Sequence, residues 1–70
     1  MDTAEQRISR DLHIDVENYA AYADGFSFTV ATELQAYKAA YQYQGPAIQR
    51  TTVRYASGVN RWLVQVYKSN

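Results

Sequence analysis

The chain has 70 residues, with seven acidic and seven basic side chains, one His and no Cys. One domain spanning residues 1–70 is the expectation, since ordinary domains take roughly 100–200 residues and a second core has no room. Disulfide staples and a Cys/His zinc site are excluded, and with no apolar run near ~18 residues and Asp2 and Glu5 where a leader would be basic and then apolar, the expectation is a cytoplasmic, non-membrane protein.

Thr3-Ala4-Glu5-Gln6 has the form of a capping box, and Ala4, Ile8 and Leu12 follow on one helical stripe. This predicts a helix near residues 3–11, which at ~12 residues or fewer must dock to persist. Ile14, Val16, Asn18, Ala20 and Tyr22 then alternate with His13, Asp15, Glu17 and Tyr19, the period of a strand with one polar face. Phe26, Phe28 and Val30 resume the alternation after Asp24-Gly25. A two-residue Asp-Gly turn pairs Ala23 with Phe26. A three-residue Ala23-Asp24-Gly25 loop, with Gly25 at positive φ, pairs Tyr22 with Phe26 and Ala20 with Phe28. The second register is preferred because it keeps Asp15 and Glu17 out of the core.

Thr32-Glu33-Leu34-Gln35 is a second capping box opening a second helix, stopped by Gly45-Pro46. Leu34, Tyr37 and Tyr41 form one stripe on it, with Ala36, Ala40 and Tyr43 beside them. Tyr37, Tyr41, Tyr43, Tyr55 and Trp62 are expected in the core or at its edge. Two more strands follow, near residues 47–56 and 60–68, joined at Ser57-Gly58-Val59-Asn60. A two-residue type II′ turn starting at Gly58 sets Tyr55 against Trp62, Val53 against Val64 and Thr51 against Val66. The other face then pairs Ala56 with Arg61, Arg54 with Leu63, Thr52 with Gln65 and Arg50 with Tyr67. The order helix, hairpin, helix, hairpin predicts an α+β fold: a mainly antiparallel sheet of three or four strands with the second helix across one face.

The apolar content is thin. Leu, Ile, Val and Phe number fourteen, supplemented by seven Tyr, one Trp and ten Ala, so docking onto a partner or a second copy is expected. The net charge of zero also hides a separation. All seven acids lie in residues 1–33, where two bases leave a net −5; the five bases Lys38, Arg50, Arg54, Arg61 and Lys68 follow with no acid. Such asymmetry points to a charged partner surface, to self-complementary assembly, or to pairing between the two halves of one sheet.

Catalytic sets are missing. His13 is the only histidine, and there is no Cys nucleophile, Gly-rich phosphate loop or HExxH pair. His13 and Asp15, with Asp11 or Glu17, share the predicted strand face but lack the second His or Cys of transition-metal sites. Asp15 and Glu17 are a carboxylate pair of the kind used in acid–base work, but nothing apolar is expected around them. No enzyme, metal or cofactor is expected. The outer face of the second hairpin is the candidate site, where Arg50, Arg54 and Arg61 alternate with Leu63, Gln65 and Tyr67. Arg and Tyr are enriched where interfaces concentrate energy, and Arg also reads phosphate. An acidic protein surface or a nucleic acid fits that face. Five bases in a neutral chain promise little counterion release, which favours protein.

The segment Gly25-Phe26-Ser27-Phe28-Thr29-Val30, followed by Ala40-Tyr41-Gln42-Tyr43 and Thr52-Val53-Arg54, resembles the hairpin, helix and strand of the podophage RNA-polymerase inhibitors. Val53-Arg54-Tyr55 through Val59-Asn60 to Trp62-Leu63 and Tyr67-Lys68 is similar to the antiparallel pair of small anti-CRISPR proteins that bind the type I surveillance complex. The resemblance covers residues 14–68 in order and spacing; the leading acidic helix has no counterpart, and the acidic surface of a DNA mimic is absent. It implies a phage or mobile-element inhibitor, without catalysis, that occludes a host protein or ribonucleoprotein complex through Arg50, Arg54 and Arg61.

Overall fold

The computed structural model describes residues 3–69; Met1, Asp2 and Asn70 lie outside the described residues, Asp2 being one of the acids counted in the first segment. The elements run α1 (Ala4–Leu12), β1 (Glu17–Tyr22), β2 (Gly25–Val30), α2 (Glu33–Gln42), β3 (Ile48–Ala56) and β4 (Arg61–Lys68). The four strands form one antiparallel sheet in the order β1-β2-β4-β3. This is the expected α+β class, with four strands rather than three. No helix among the described residues is long and apolar enough to cross a membrane.

The capping box of α1 is complete: Thr3 Oγ1 accepts from the Gln6 amide at 3.1 Å, and Gln6 Oε1 accepts from the Thr3 amide at 2.9 Å. Ile8 and Leu12 pack against the core from the predicted stripe. The helix ends at His13, which adopts the left-handed conformation (φ 57°, ψ 38°) and sends its amide back to the Arg10 and Ser9 carbonyls. His13 and Asp15 therefore share no strand face, because β1 begins only at Glu17. Among the described residues no three His, Asp or Glu side chains gather as a metal site requires.

The first hairpin departs from both expected registers. Tyr22 pairs with Gly25 and Ala21 with Phe26, so Ala23-Asp24 alone forms the loop, and Gly25 is part of β2 with no positive φ. The reason is contact with β4. A Cβ at Gly25 would run into the Val66 carbonyl oxygen, so only glycine lets the two backbones meet there. Asn18, at φ 55°, forms a bulge that shifts the register between Glu17 and Ala20 and returns Glu17 opposite Thr29.

The second hairpin has every predicted pair, from Arg50 with Tyr67 to Ala56 with Arg61. Its turn differs: Asn60, not Gly58, carries the positive φ, at 53°, and its Oδ1 accepts the Tyr55 hydroxyl at 3.1 Å. The core lies between the sheet and α2. Phe28, Val30, Val64 and Val66 are fully buried beneath Ala36, Ala39 and Ala40, with Phe26, Val53, Trp62 and Tyr43 closing its margins. Tyr43 meets Phe26 and Phe28 edge-on at 5.4 and 6.1 Å. Burial, then the charges of Asp11 and Tyr19, raise its phenol above the usual tyrosine range.

Helix α2 docks by its alanines, which corrects the expected stripe. Leu34, Tyr37 and Tyr41 are 72%, 57% and 73% exposed, and Tyr55 is also exposed. Thr32 caps the helix through the Gln35 amide at 3.2 Å, but the buried Gln35 Oε1 has no partner among the described residues. Replacing Gly25 by Ala should cost about 3 kcal/mol of stability, as overpacking against a backbone that cannot give way. Ala23→Gly in the exposed loop should cost well under 1 kcal/mol, and urea unfolding of both variants checks the contrast.

Candidate binding face

The strand register arranges the outer face of the sheet, opposite α2, in three rows. Tyr22, Gly25, Tyr67 and Arg50 form one; Ala20, Ser27, Gln65 and Thr52 the next; Glu17, Thr29, Leu63 and Arg54 the third. Arg61 follows beside Ala56. All six residues singled out in the sequence thus share this face, in two different environments.

Arg50 and Arg54 are exposed and lie four residues apart on β3, about 13 Å at the strand rise. The Arg50 guanidinium rests 4.5 Å from the Tyr67 ring centroid, a stacking that holds its fork in place while leaving its edge to solvent. Gln65 accepts the Thr52 hydroxyl at 3.1 Å through Oε1, a bond that does not use its amide donors. Leu63 is half-buried between Thr29 and Arg54.

Arg61 is spent inside the molecule. Its Nε donates to Thr29 Oγ1 at 2.9 Å, Nη2 donates to the Asp15 and Thr29 carbonyls at 3.1 and 3.2 Å, and Nη1 pairs with Glu17 at 3.0 Å. The Thr29 hydroxyl in turn donates to Asn18 Oδ1 at 2.8 Å. The Arg61 side chain is only 16% exposed. It joins the acidic first hairpin to the basic second one, and it is unsuited to the partner contact expected of it.

Two contributors were missed in the sequence. Tyr22 joins the face because its register differs from the expected one, and its hydroxyl meets that of Ser27 at 3.1 Å. Between Tyr22 and Tyr67, where Gly25 carries no side chain, lies an open groove of about 310 Å³ that Asp24 and Gln65 also line. Comparison of the chain with protein-family models, with curated proteins and with solved structures finds no match to any.

The face offers two cations, directed amide donors and an aromatic-walled groove, the chemistry of recognition. Arg61→Ala should destabilise the fold by about 2 kcal/mol, through lost charge-assisted hydrogen bonds to Thr29 and Asp15 more than through the exposed ion pair. Arg54→Ala should stay within ~0.5 kcal/mol of the parent in the same denaturation experiment.

Proposed function

We propose that this chain is a non-catalytic binding protein that docks on an acidic protein surface through Arg50, Arg54, Leu63, Gln65, Tyr67 and Tyr22. The observation that carries this reading is the pair of exposed arginines, Arg50 stacked on Tyr67, on a face with aromatic walls. The charge count favours protein over nucleic acid. With Arg61 neutralised by Glu17, two phosphate-ready cations give a salt slope of only about −2 on duplex, far below that of proteins making 6–10 phosphate contacts. Inhibition of a host or ribonucleoprotein complex by a phage-encoded protein is a narrower form of the same reading, supported by the order and spacing of the elements.

The test is a titration with poly-L-glutamate and with single-stranded DNA and RNA at two salt concentrations. Polyglutamate should bind, and the double variant Arg50→Glu/Arg54→Glu should lose at least tenfold in affinity with its circular dichroism spectrum unchanged. Retained affinity in that variant removes the face from the reading; steeply salt-dependent binding to nucleic acid alone replaces acidic protein by nucleic acid as the partner.

The exposed Leu34, Tyr37 and Tyr41 favour a second reading, a homodimer through α2. These positions follow one another along one side of the helix, as a helix–helix contact requires. Sedimentation should show mass rising with concentration and a monomer in Tyr37→Glu/Tyr41→Glu; a monomeric parent at all concentrations and salts eliminates it.

A further inference from the structure

The two edges of the sheet are finished differently. At β1 the strand has six residues, is broken by the Asn18 bulge, and has the Tyr19 amide bonded to Glu5 Oε2 of α1 at 3.2 Å. Bulging, shortness and cover are the usual ways of closing an edge. At β3 the edge strand has nine residues without Pro or Gly, and its one irregularity lies between Ile48 and Arg50. Among the described residues its main packing neighbours are β4 on one side and α2 on one face. Alternate residues of such an edge turn N–H and C=O groups outward, unpaired. Thr51, Thr52, Val53 and Tyr55 are types that favour an extended chain.

We propose that β3 captures an extended acidic segment of a partner protein as a fifth strand, with carboxylates four residues apart set against Arg50 and Arg54. This rests on the acidic-partner reading above and adds how the partner is held: backbone bonds along the edge supply affinity, and the two arginines supply register and selectivity. The four-residue spacing holds whichever way the added strand runs, because side chains on one face recur every second residue. A second copy meets like-charge repulsion in its fullest register on the same edge. The register that overlaps residues 48–56 completely is centred on Thr52 and sets Arg50 of each copy against Arg54 of the other, like charges directly opposed. Nucleic acid has no peptide backbone to extend the sheet.

The experiment titrates the 70-residue chain with disulfide-cyclised hairpin peptides whose free strand is nine residues of Thr and Val with Glu at its third and seventh positions, followed by calorimetry and by amide exchange in β3. Cyclisation removes the ordering cost that a linear peptide would add. Saturable binding is expected, with slowed exchange of the outward β3 amides. Moving the second Glu to the sixth position should weaken binding at least tenfold, as should N-methylation of the free-edge amides. Arg50→Glu/Arg54→Glu should exchange the preference to a hairpin with Lys at the same two positions. Equal binding of the in-phase, out-of-phase and N-methylated hairpins overturns strand addition while leaving the acidic-partner reading in place. So does failure of every hairpin where polyglutamate binds. Failure of polyglutamate as well overturns both. Protection of the β3 amides that rises with protein concentration alone assigns the edge to a second copy and overturns the proposal.

Discussion

The guanidinium of Arg61 fastens the outer face of the sheet to the start of β1 and the residues before it, whose Ile14 and Val16 are buried in the core. From β4 it crosses the outer face to β2, bonding both acceptor oxygens of Thr29, and reaches the Asp15 carbonyl and the Glu17 carboxylate at the start of β1. The β1 backbone is at its least regular there, with Asn18 at positive φ and the register slipping between Glu17 and Ala20. A bulge leaves ladder groups unpaired and gives little cooperativity of its own. Thr29 bonds the bulge through its hydroxyl, and Arg61 adds charge-assisted bonds, which are roughly twice as strong as neutral ones. Because Thr29 is 2% exposed, any loss of Arg61 takes away a donor from its carbonyl and from its hydroxyl oxygen where water reaches them poorly, although the hydroxyl keeps its own bond to Asn18.

That dependence follows from how little apolar volume is available. The helix that covers the sheet does so with three alanines, which allow a close approach but bury small side chains. The large side chains on α2 are turned the other way. A helix cannot present both its alanine side and its Leu34–Tyr37–Tyr41 side to one sheet, and the tightly pleated Phe28, Val30, Val64 and Val66 surface accommodates the smaller of the two. Close approach recurs at Gly25, where β2 and β4 meet at a distance that excludes a side chain, and the same missing side chain opens the groove between Tyr22 and Tyr67 on the outer face. One packing constraint thus stabilises the sheet centre and shapes the candidate binding face.

The legible parts of the fold were those whose rule is local and regular. The second hairpin alternates without interruption from Arg50 to Tyr67, and the two-residue turn and the observed four-residue loop give the same pairs, so the register survived an incorrect turn. The first hairpin was illegible because a single residue, Asn18, changes phase mid-strand, and because Gly25 reads as a turn glycine when its reason is contact with a strand forty residues later. On α2 both stripes have helical spacing, and hydrophobicity favours the larger residues, whereas the sheet selects the smaller. Arg54 and Arg61 differ for a similar reason. Both alternate onto the outer face, and only the strand order places Arg61 beside β2 and the β1 bulge, leaving Arg54 on the edge.

The same topology turns a neutral charge count into directional surface chemistry. Pairing Arg61 with Glu17 consumes one charge from each half of the sequence and fastens the halves together, so part of the sequence asymmetry is internal structure. Arg50 and Arg54 stay apart from Glu17 because β1 and β3 occupy opposite edges of the sheet with β2 and β4 between them, whereas Lys68 shares a hollow with Asp11 of α1 and Asp24 lines the groove beside Tyr67. At ordinary ionic strength, screening over about 8–10 Å makes that separation comparable to the screening length. Acids on the far edge therefore moderate the two arginines only slightly. An approaching anion meets the β3 edge as locally positive although the whole chain is neutral, and an anionic strand meets in addition an unpaired backbone. Local charge and an edge strand coincide on β3, and under the strand-addition proposal that coincidence would separate selective capture of a peptide from general attraction to anything acidic.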